Sequence, residues 1–134
     1  MNAAETIQAA VDKLERLRAA ATSGPFGFED GWQPPQWKDQ GWTYVRVVAG
    51  EPNSISGVRS MVLSTDGTLP GSEGKRRTLA DAELIVTLHR TIDAQLDFLR
   101  TVRGLAGAQI KGELAELVIG HGEQFARSIL GEVS

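Results

Sequence analysis

The chain has 134 residues, of which 41% are hydrophobic and 23% charged, and its 14 basic and 17 acidic side chains leave a net charge of -3. This length predicts a single domain over residues 1–134, and the weak negative charge argues against nucleic acid as a partner. The absence of cysteine excludes disulfide bonds, cysteine nucleophiles and thiolate metal sites. No long apolar run or leader-like segment occurs, so we expect a cytoplasmic protein without a membrane partner.

The first element in chain order is a helix over about residues 3–21. Ile7 and Val11 recur at helical spacing, with charged residues between them. Asn2 and Glu5 are three residues apart, which is typical of a capping box at the start of a helix.

The helical period disappears over about residues 24–74, where glycine, proline and serine recur. Two segments in this region, 42–48 and 58–63, are rich in β-branched and aromatic residues and predict two antiparallel strands. A third short strand is expected before Trp37.

Helicity resumes with two predicted helices, over about residues 79–103 and 108–131. Thr78 and Asp81 resemble a cap at the start of the first helix, and Gly104 interrupts the pattern at its end. The short linker predicts a helical hairpin, with one long bent helix as the alternative. The apolar stripe of the last helix comprises Ile110, Leu114, Leu117, Val118, Phe125 and Ile129. Together the elements predict an α+β fold: an N-terminal helix, a small antiparallel β-sheet and a C-terminal helical hairpin.

The last helix also has a second, mostly small-residue face, which suggests contact with another backbone. This face comprises Ala108, Gly112, Ala115, Ile119, Gly122 and Ala126. A helix with two non-polar faces has more apolar surface than a short chain readily covers, so we expect a homo-oligomer through this face. The alternative is that helix 1 or the strands cover it within one subunit.

Catalytic constellations are not recognisable in the sequence. His89 and His121 are the only imidazoles, and no third group follows at a spacing that would complete a metal site. No GxSxG motif occurs, and the serines have no recognisable base partner. We therefore expect a protein that is not an enzyme and that carries no metal or cofactor.

Two groups of residues are candidates for ligand or partner binding. Lys75, Arg76 and Arg77 lie at the start of a predicted helix, where they favour a phosphate or an acidic patch of a partner; a solvated loop is the alternative. The surrounding run does not match the Walker pattern of phosphate-binding loops. Trp32 and Trp37 flank two prolines and are candidates for stacking on a ligand or partner, with burial in the core as the alternative.

The run LERLRAAATSGPF over residues 14–26 resembles the opening of small proteins common in actinobacterial phages and prophages. Those proteins typically read LRAAATPGPW, then a short β segment, then a helix beginning DAxLI, as in DAELI over residues 81–85 here. Ser23 replaces the usual proline and Phe26 the usual tryptophan. The likeness covers about residues 7–102 and extends distantly to early-region proteins of lambdoid phages. It implies an accessory protein that acts on a host or defence component, and it transfers no catalytic residue.

These observations favour a non-enzymatic phage or prophage accessory protein that is homo-oligomeric and binds a host macromolecule, such as a host protein, in the host cytoplasm. The alternative is a protein that binds or sequesters a small ligand, such as a phosphorylated nucleotide, with a basic helix N-terminus and an aromatic pocket.

Overall fold

The computed structural model describes residues 1–21, 25–33, 41–50, 60–64 and 66–132. The elements in chain order are α1 (Ala3–Ala20), β1 (Phe26–Trp32), β2 (Tyr44–Ala49), β3 (Ser60–Ser64), α2 (Glu73–Arg90), α3 (Ile92–Gly107) and α4 (Glu113–Leu130). An N-terminal helix, an antiparallel sheet and C-terminal helices make this an α+β fold, as predicted.

The chain divides into two compact units. The first, which we call the helical unit, comprises Met1–Ala21 and Thr91–Ser134, and the second, the sheet unit, comprises Thr22–Arg90. Each unit has its own hydrophobic core. The single-domain interpretation of residues 1–134 stays a prediction.

The start of α1 is closed by the predicted capping box. The Asn2 side chain accepts a hydrogen bond from the Glu5 backbone N–H at 2.9 Å, and the Glu5 carboxylate accepts one from the Asn2 N–H at 2.9 Å. These bonds satisfy two N–H groups that have no partner within the helix.

The sheet has the order β1-β2-β3 with antiparallel neighbours. Phe28 lies opposite Val47, which lies opposite Leu63 on β3. β1 is the predicted third strand before Trp37. Because successive side chains of β2 point to opposite faces, one face collects the residues that pack against α2. The buried core of the sheet unit comprises Phe26, Val45, Val47, Ala49, Ala82 and Val86.

The structure corrects the predicted helix over about 79–103, which is two helices separated at Thr91. The apolar spacing that predicts one helix runs through both helices and serves two cores: Ile85 packs against the core of the sheet unit, whereas Leu96 and Leu99 lie in the core of the helical unit. No glycine or proline lies at the break, so the apolar periodicity continues across it and predicts a single helix.

The start of α2 also differs from the prediction. The helix begins at Glu73 because the hydroxyl of Ser72 accepts a hydrogen bond from the Lys75 N–H at 3.1 Å. Thr78, the predicted cap, lies inside the helix and donates its hydroxyl to the Lys75 carbonyl at 2.9 Å.

The helical unit is built from α1, α3 and α4, and the last two form the predicted hairpin. The buried residues of its core are Ile7, Ala10, Val11, Leu96, Leu99, Val102 and Ala126. Side chains on α4 that were predicted to lie in the core divide into two groups. Val118, Phe125 and Ile129 pack against the core, whereas Leu114 and Leu117 are 75% and 58% exposed.

Candidate functional site

Lys75 is the most unusual charged residue of the sheet unit because its side chain is buried, with 5% of the residue exposed. Its ammonium donates to Asp30 Oδ1 at 2.8 Å, to Thr43 Oγ1 at 2.6 Å and to the Thr43 carbonyl at 3.3 Å. Three acceptors match the three donors of an ammonium, so the charge is both paired and fully hydrogen-bonded.

An open cleft of about 780 Å³ lies beside this buried pair. The ends of β1 and β2, the turn before α2 and the first three turns of α2 form its walls. The charged residues that line it are Asp30, Glu73, Lys75, Arg76 and Glu83. Three carboxylates against two cations make the lining slightly acidic, which differs from the basic surface that the sequence suggests.

The structure separates the three consecutive cations that the sequence grouped as one candidate site. Successive residues on a helix are about 100° apart, so Lys75 points inward while Arg76 and Arg77 are exposed. Both arginines lie beside Glu73: Arg76 is hydrogen-bonded to it, and Arg77 Nε is 3.7 Å from its carboxylate. Arg76 lines the cleft, and Arg77 does not.

Trp32 belongs to a second cluster, on the sheet rather than in the cleft. Its ring meets the Tyr44 ring edge-on at 5.7 Å, and the Arg46 guanidinium lies 4.7 Å from its centre. Arg46 also donates to Glu29 at 2.7 Å. Trp32 is 37% exposed. Trp37 lies outside the described residues, so the structure does not test its predicted role.

The two histidines occupy different surroundings. The His89 ring stacks on Phe26 with 3.5 Å between ring centres and 1° between planes, at the end of α2. His121 is exposed on α4. Within the part of the chain that the structure describes, no three His, Asp or Glu side chains converge as metal ligands.

The small-residue face of α4 is divided by the packing of the helical unit. Gly122 and Ala126 are buried, and a Cβ built on Gly122 would lie 2.5 Å from Val102 Cγ1 on α3. Those two positions are therefore covered within one chain. Ala115 and Ile119 are half-buried. Ala108 and Gly112 are exposed and lie outside α4, because Ala108 is the C-cap of α3 and Gly112 is the N-cap of α4, so the last helix starts at Glu113 and not near residue 108. The predicted interface through these six residues stays a prediction.

Sequence reasoning missed Asp30, Thr43 and Ser72. Asp30 and Thr43 lie 45 and 32 residues from Lys75, and no local pattern connects them. Ser72 carried a usable signal, because it follows Pro70 and Gly71 in a turn and precedes an acidic residue at the first helical position.

Comparison of the chain with protein-family models, with curated proteins and with solved structures gave no match. Among the helices that the structure describes, none combines the length and the hydropathy needed to cross a bilayer.

Proposed function

We propose that the chain is a non-enzymatic, homo-oligomeric accessory protein of a phage or prophage that binds a host macromolecule in the host cytoplasm. The observation that supports this function is the exposure of large apolar side chains on α3 and α4. Leu114 and Leu117 are mostly exposed, and Phe98 on α3 is also exposed. Large apolar side chains left exposed on two helices that pack together are a common feature of protein–protein contacts. The phage origin rests only on the resemblance of residues 14–26 and 81–85.

The experiment that tests self-association is native mass spectrometry over a range of concentrations, paired with the denatured mass. We expect a native mass of two or more times that of the 14.4 kDa chain. A mass of one chain at every concentration would contradict the homo-oligomer. A reproducible additional mass of protein size in material purified from the host would support binding to a host protein.

A second candidate function is binding of a phosphorylated small ligand, such as a nucleotide. The cleft beside the start of α2 favours it, because Arg76 lines the cleft and free N–H groups at a helix start attract anions. The acidic side chains in the same lining, Asp30, Glu73 and Glu83, argue against this function because they repel a phosphate.

Calorimetric titration with a nucleoside triphosphate tests this second function. If the cleft binds the phosphate, Arg76→Glu should weaken binding at least about tenfold, since a charge-assisted hydrogen bond is replaced by repulsion. Arg16→Glu on α1 is the matched control, because it makes the same charge change at an exposed arginine of the helical unit. Equal affinity of the two variants for the nucleotide would show that the cleft is not the ligand site.

A further inference from the structure

We draw no further inference here: the strongest candidate, the open cleft beside the buried Lys75–Asp30 pair at the start of α2, belongs to the site already described, and because its two cations, Lys75 and Arg76, are already paired with Asp30 and Glu73, nothing in the described part of the chain shows what would occupy it.

Discussion

Replacing Asp30 with alanine is expected to lower the free energy of unfolding of the sheet unit by about 2 kcal/mol. The Lys75 ammonium is buried and loses its counter-charge in this variant, keeping only the two oxygens of Thr43. Breaking a buried ion pair from one side typically costs about 3–5 kcal/mol. The smaller value is expected because the Asp30 side chain is 46% exposed, so water screens the pair.

Urea unfolding followed by tryptophan fluorescence measures this effect, because all three tryptophans belong to the sheet unit. Asp81→Ala, which removes an exposed carboxylate from α2, is the matched control and should change the midpoint little. Combining Asp30→Ala with Lys75→Met should recover part of the loss, because no uncompensated charge then remains buried. Equal midpoints for Asp30→Ala and Asp81→Ala would show that the pair does not stabilise the unit.

Gly122→Ala is expected to lower the free energy of unfolding of the helical unit by about 2 kcal/mol, although alanine is the better helix former. The added Cβ would lie 2.5 Å from Val102 Cγ1 and 3.1 Å from Val102 Cβ. Val102 is buried in the core and has a short, stiff side chain, so it cannot move aside without displacing its neighbours.

Far-UV circular dichroism during urea unfolding measures the effect of Gly122→Ala. Gly104→Ala on α3 is the control, because no atom lies within 4 Å of its built Cβ. That variant should gain up to about 1 kcal/mol from helix propensity. Val102→Ala combined with Gly122→Ala should lower the free energy of unfolding by less than the sum of the two single changes. Removing the two Val102 methyl groups makes room for the new Cβ at position 122. Additive losses of unfolding free energy would contradict the close contact between Gly122 and Val102.

The parts of the fold that the sequence predicts well depend on neighbours along the chain. The Asn2–Glu5 capping box forms between residues three apart, and the strands and the C-terminal hairpin follow from periodicity and turn residues. Periodicity failed at Thr91, where one apolar stripe serves two cores, because the pattern carries no information on which core a residue joins.

For the candidate site, the residue types determined that a cation lies at the start of α2 and that α4 has apolar surface on more than one side. Only the tertiary structure decided that Lys75 turns inward, because its partners Asp30 and Thr43 arrive from distant parts of the chain.

The same distinction applies to α4. Gly120 and Gly122 are identical in type and two residues apart, yet one is open and the other lies against Val102. The sequence by itself determined that α4 has two apolar faces and that small residues line one of them. Tertiary packing decided that the small face lies against α3 at Gly122, where only a residue without a Cβ fits beside Val102, and that Val118, Phe125 and Ile129 of the other face also join the core. Leu114 and Leu117, from the same predicted stripe, remain exposed, because periodicity places residues on a face but does not decide which of them a neighbouring helix covers.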